Sequence, residues 1–168
     1  MVEKLHPVGI GEIVVSADAE EVLVAYGLGS CVAICLYDPL AQVGGMLHAL
    51  LPTPIGPRHN FGAPAKFVER GVPALLRELV ALGAISSRLK TYLCGGASVL
   101  TTPVDGSPDV GQRNSQAATK ALHDAGLKIQ GQAVGGQSGR TVKLYVATGR
   151  VMVRSLGQPE QLLNISKS

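Results

Sequence analysis

Tryptophan is absent from the chain, and aromatic residues make up only 4% of it. A core without large rings must be filled by Val, Leu, Ile and Ala, and a nucleic-acid strand finds no stacking platform. Charge is scarce too: Asp, Glu, Lys and Arg total 16%, with a balance of only +3. Lys4, Arg58, Lys66, Arg70, Arg88, Lys90, Arg113 and Lys120 are dispersed without a basic run, which argues against nucleic acid as a partner. No apolar run has the length of a membrane span, and the opening MVEKLHPVGIGEI has no secretory apolar stretch, so no membrane insertion is expected. Cysteine is limited to Cys31, Cys35 and Cys94, an odd number with no CxxC pair. That usage predicts free thiols in a reducing compartment, hence the cytoplasm, where the sequon Asn164-Ile165-Ser166 carries no meaning. None of His6, His48, His59 and His123 stands at a metal-ligand spacing from a cysteine, so no metal is expected.

What is present is a 168-residue chain, 46% hydrophobic, with 21 glycines. That size predicts one domain over residues 1–168, with a core that needs no disulfide. Short β-branched segments separated by Gly, Asp or Pro predict strands at 9–16, 21–26, 31–37 and 43–50, followed by a proline-rich loop over 52–64. Phe67, Val68, Val72, Leu75, Leu76, Leu79 and Val80 recur at helical steps within 65–82, with Pro73 predicting a kink or a late start. A weaker stripe of Ala117, Ala118, Ala121 and Leu122 predicts a second helix over 112–125, stopped by Gly126. Further strands are expected at 90–94, 127–134, 141–147 and 151–155, the last two joined through Gly149. The sum is a strand-rich mixed α/β fold with two helices on one side of a sheet.

The stretch GLGSCVAICLYD places Cys31 behind a tight Gly27-Leu28-Gly29-Ser30 turn. A thiol becomes a nucleophile when a base or aimed backbone N–H groups stabilise its thiolate, and the small residues of that turn suit the second role. Burial is the competing reading, since cysteine is often a core residue and alternation puts Cys31, Ala33 and Cys35 on one face. His48, in VGGMLHALLP on the next strand, returns towards Cys31 if the two strands pair antiparallel. A lone histidine in an apolar strand is also commonly a satisfied core residue. His6, His59 and His123 are expected in a tail, a loop and a helix. GLGSCV is only a fragment of a dinucleotide fingerprint, GGQSGRT has the wrong glycine spacing for a phosphate loop, and no GxSxG elbow exists.

GLGSCVAICLYDP and GGMLHALLP, with CGGASVL, VGQRNSQAATKALHDAGLKI and GGQSGRTVKLYVATGRVMV, resemble the chemoreceptor glutamine deamidases of the CheD family in order and spacing over roughly residues 8–158. The resemblance implies a three-layer α-β-β sandwich with mixed sheets and two main helices, similar to the catalytic domain of cytotoxic necrotizing factors. It implies hydrolysis of glutamine side chains on chemoreceptor cytoplasmic helices to glutamate, with ammonia released and no cofactor. The phosphatase CheC is the implied partner. By position, Cys31 matches the family's nucleophile and His48 its general base. The backbone N–H groups of the preceding turn make Gly29 and Ser30 the expected oxyanion or substrate-binding positions. The family usually carries Thr six residues before the cysteine to orient the histidine, where this chain has Ala25. It also often has Asp before the late Gly-Gly, where Val134 stands, and a polar or small residue before the histidine, where Leu47 stands. Ala25 motivates the alternative of a weakly active or inactive binding module acting on CheC.

Overall fold

A computed structural model describes residues 3–52, 64–98 and 109–163. Its strands are β1 (Lys4–Pro7), β2 (Glu12–Ser16), β3 (Glu21–Leu28), β4 (Val32–Asp38), β5 (Val43–Ala49), β6 (Lys90–Gly95), β7 (Ile129–Val134), β8 (Arg140–Tyr145), β9 (Val151–Ser155) and β10 (Gln161–Leu162). The helices are α1 (Val68–Ala81) and α2 (Val110–Asp124). The strands form two mixed five-stranded sheets, ordered β1-β3-β8-β9-β10 and β2-β5-β4-β6-β7.

The strand β4 explains the layering. All seven of its residues are buried, as a strand covered on both faces requires. Val32, Ile34 and Leu36 pack with Val72, Leu75 and Leu79 of α1 and with Ala118 and Leu122 of α2. Their neighbours Ala33, Cys35 and Tyr37 pack with Leu23, Ala25, Val142 and Leu144 of the other sheet. The period of two thus feeds two cores from one strand, and the order helices, sheet, sheet is the expected three-layer α-β-β arrangement.

The helices are built as the sequence stripes predict, with shifted starts. Helical residues of α1 begin at Val68 rather than 65, after a 3-10 turn at Pro64–Lys66, and Pro73 lies inside the helix. Its buried stripe is Val68, Gly71, Val72, Leu75 and Leu79. The start of α2 lies at Val110, two residues before the expected Gln112. Asp109 accepts from the Gln112 backbone N–H while the Gln112 side chain accepts from the Asp109 N–H, a capping box that sets the start there.

The strands near the site and at the first sheet edge differ from expectation. The segment holding His6 is β1, parallel to β3, and its ring Nδ1 lies 2.6 Å from Glu21 Oε2, so His6 is not in a tail. The first expected strand begins at Glu12 instead of 9, because a turn intervenes in which the Glu12 N–H donates to the Gly9 carbonyl at 3.0 Å. The ladder of β4 begins at Val32, which leaves Cys31 at its mouth. Most of the expected 52–64 loop, His59 and the sequon at 164–166 lie outside the described residues.

Candidate active site

Antiparallel pairing of β4 and β5 sets Ala33 opposite His48 and Val32 opposite Ala49. Cys31, two residues before Ala33, is therefore the diagonal neighbour of His48. In an antiparallel pair such Cα atoms lie about 7–8 Å apart, within reach of longer side chains. Both side chains belong to the face between the sheets. Cys31 packs there with Ala33 and Cys35, and His48 follows Met46 on the same side of β5. The hairpin expected from sequence thus brings the thiol and the imidazole to one end of one face.

His48 is 3% exposed. Its Nδ1 lies 2.9 Å from the carbonyl oxygen of Val8. A carbonyl only accepts, so Nδ1 carries a proton, and in the neutral ring the lone pair is then on Nε2. Nε2 is buried and has no hydrogen-bond partner among the described residues. Val8 is itself anchored, its N–H donating to the Val24 carbonyl at 2.7 Å, and the Gly11 N–H donates to the His48 carbonyl at 2.7 Å. Ala25, which replaces the expected hydroxyl, is buried in the same layer between the sheets. The far side of the imidazole is held by main chain.

The turn before β4 is fixed through its carbonyls. Ala97 N–H donates to Gly29 O and Gly96 N–H to Cys31 O, each at 2.9 Å. Asn114 Nδ2 donates to Ser30 O at 2.8 Å and to Leu50 O at 3.0 Å. The close approach of the strand after Cys94 requires glycine. Gly95 has φ +106, and a Cβ there would collide with the Cys31 carbonyl oxygen.

The three thiols are graded by burial. Cys31 is 7% exposed, whereas Cys35 and Cys94 are at 0%. Burial raises the Cys31 thiol above its ordinary value, and its own backbone N–H pulls the other way. Burial pushes Cys94 up to about 12, and it raises Cys35 well above the usual range. A buried Cys31 thiol would need a base to become a thiolate, and Nε2 of its diagonal neighbour is chemically suited to be one when the ring is neutral.

Sequence reasoning overlooked two members of this arrangement. The Val8 carbonyl is main chain and leaves no side-chain signature. Asn114 had a signal: it interrupts the buried stripe Gly111, Ala118 and Leu122 of α2, where an amide needs partners.

The fold and this end of the middle sheet describe a small α/β protein presenting a thiol and an imidazole on one buried face. The family model for CheD chemotactic sensory transduction matches residues 50–155. The chain is 39% identical over 161 residues to the probable chemoreceptor glutamine deamidase CheD of Symbiobacterium thermophilum, covering 95% of this chain and 98% of that protein. It is 42% identical over 149 residues to the probable chemoreceptor glutamine deamidase CheD of Pyrococcus abyssi, covering 89% and 90%. It is 39% identical over 155 residues to the chemoreceptor glutamine deamidase CheD of Thermotoga maritima, covering 92% and 94%. The chain belongs to the CheD family. No helix of the described residues is long and apolar enough to cross a membrane.

Proposed function

We propose that this chain is a protein-glutamine deamidase acting on chemoreceptor cytoplasmic helices, with Cys31 as nucleophile and His48 as general base. The observation that carries the reading is the anchoring of His48: with Nδ1 on the Val8 carbonyl, Nε2 is the ring nitrogen left to exchange a proton on the face shared with Cys31. The relatives' names supply the substrate class.

In this reading His48 Nε2 takes the Cys31 Sγ proton, and the thiolate attacks the carbon of the glutamine carboxamide. The oxyanion of the tetrahedral intermediate is held by backbone N–H groups at Gly29, Ser30 and Cys31. Its collapse breaks the C–N bond, His48 returns the proton to the leaving nitrogen, and ammonia departs from a thioester. Water, deprotonated by His48, then attacks the thioester carbon and releases glutamate while Cys31 recovers its proton. No electron transfer occurs, and the balance closes on one water consumed and one ammonia released. Each turnover converts a neutral amide into a carboxylate, which changes the charge of a receptor helix surface. The cytoplasm follows as the working compartment.

The test is mass spectrometry of receptor cytoplasmic fragments incubated with the protein. Wild type converts specific Gln residues to Glu, and Cys31→Ala and His48→Ala do not. Conversion that persists in Cys31→Ala overturns the assignment of the nucleophile.

Ala25 favours a second reading, a binding module acting through the phosphatase CheC. Capture of CheC by a wild-type protein that leaves every receptor glutamine intact would decide for it.

A further inference from the structure

Asn114 is fully buried on the stripe of α2 that faces the middle sheet. A buried amide without partners costs about 1–3 kcal/mol, so its place among Ala and Leu needs a reason. Its Nδ2 bonds two carbonyl oxygens, those of Ser30 at 2.8 Å and Leu50 at 3.0 Å. Because both partners only accept, the amide orientation is fixed. The two carbonyls flank the proposed reacting groups: Ser30 precedes Cys31, and Leu50 lies two residues beyond His48.

We propose that Asn114 is a positioning residue that sets the Cys31–His48 spacing and aims the Cys31 N–H at the developing oxyanion. The inference rests on the deamidase reading above. The Ser30 carbonyl and the Cys31 N–H belong to one planar trans peptide and point in opposite directions. Drawing that carbonyl onto α2 turns the Cys31 N–H away from the helix. The second bond ties the end of β5 to the same side chain, so one residue fixes the distance between the thiol turn and the histidine strand. Asn114 does this at a cost, since its own Oδ1 is buried without a partner among the described residues. An unsatisfied acceptor is a poor choice for stability alone and is expected where geometry serves chemistry.

The test uses the full chain with Asn114→Ala and Asn114→Asp, the second keeping the shape while facing two carbonyls with acceptors. On receptor fragments, kcat falls about 10- to 100-fold with KM within about twofold, as for a lost orienting contact. Without substrate, the pH midpoint of Cys31 alkylation by iodoacetamide rises in both variants, while Cys94 labelling does not change. An unchanged kcat, a rise in KM alone, or an alkylation profile superimposed on wild type overturns the proposal. Should a variant fail to fold, the Asn114 side-chain amide protons of the wild type decide: slow exchange supports the two bonds, and exchange at the rate of free amide contradicts them. The alkylation and exchange readouts need no receptor. A wild type that deamidates nothing but shows them as expected defeats the deamidase reading and leaves the placement of Asn114 standing.

Discussion

Thr91 and Gly95 show two opposite demands on single residues. The Thr91 hydroxyl is buried with no hydrogen-bond partner among the described residues. Leu89, just before β6, and Leu93 on it belong to the helix-facing core. Thr91→Val keeps the shape and removes the orphaned group, and it is expected to raise stability by about 1 kcal/mol. A higher urea midpoint at an unchanged denaturant slope is the measurement. Gly95 allows no such freedom. Gly95→Ala forces a φ that L residues avoid and drives a methyl into the Cys31 carbonyl. The expected cost is about 2 kcal/mol or more, together with a fall in deamidation rate. Retention of full rate and stability would refute the tight fit of β6 against the thiol turn. At this scale the placement of Cys31 and His48 on neighbouring strands was legible, since a glycine turn before a cysteine and a histidine in an apolar strand are local signals. The support of His48 was not, because it is a carbonyl delivered by a crossing segment and any residue type offers one.

Among the elements, the β4–β5 hairpin that aligns the site is closed by Asp38. Its carboxylate is buried and accepts from Arg88 Nε at 3.1 and 3.0 Å, from Arg88 Nη2 at 2.8 Å, and from the Ile85, Leu40 and Ala41 N–H groups. Burial by itself would raise this carboxyl, but Arg88 and the backbone donors together outweigh it and hold the group at about 2. A carboxyl depressed in the folded state contributes stability above its ordinary value and loses it as pH falls. The unfolding free energy is therefore expected to drop between about pH 4 and pH 2, and to drop less in Asp38→Asn. At neutral pH, Asp38→Asn leaves Arg88 without its charge partner and costs about 3 kcal/mol. Chemical denaturation over a pH series checks both statements, and parallel curves for the two proteins would contradict them. The central strands and both helices were legible because burial imposes a period of 2 or 3.6 on their side chains. β1, with all four residues exposed, and the two-residue β10 have no such period, since they pair by backbone at the rim of a sheet.

For the whole molecule, the three layers decide which thiol can react. Cys31, Cys35 and Cys94 share the face between the sheets, but only Cys31 lies at the mouth of the strand, with any exposure. In the native protein at pH 8, iodoacetamide is expected to label Cys31 first, with Cys35 and Cys94 labelled only on unfolding. The α-β-β order follows from residues too: seven buried positions in β4 need a cover on each side, and two amphipathic helices supply only one. The same layering was implied by the resemblance of the chain to the CheD family. The most direct measurement is an acid quench of the protein during turnover on a receptor fragment, followed by peptide mapping. The account predicts a receptor glutamyl group in thioester linkage to Cys31, absent from Cys31→Ala. An adduct mapped to Cys94, or glutamate still forming in Cys31→Ala, would contradict it.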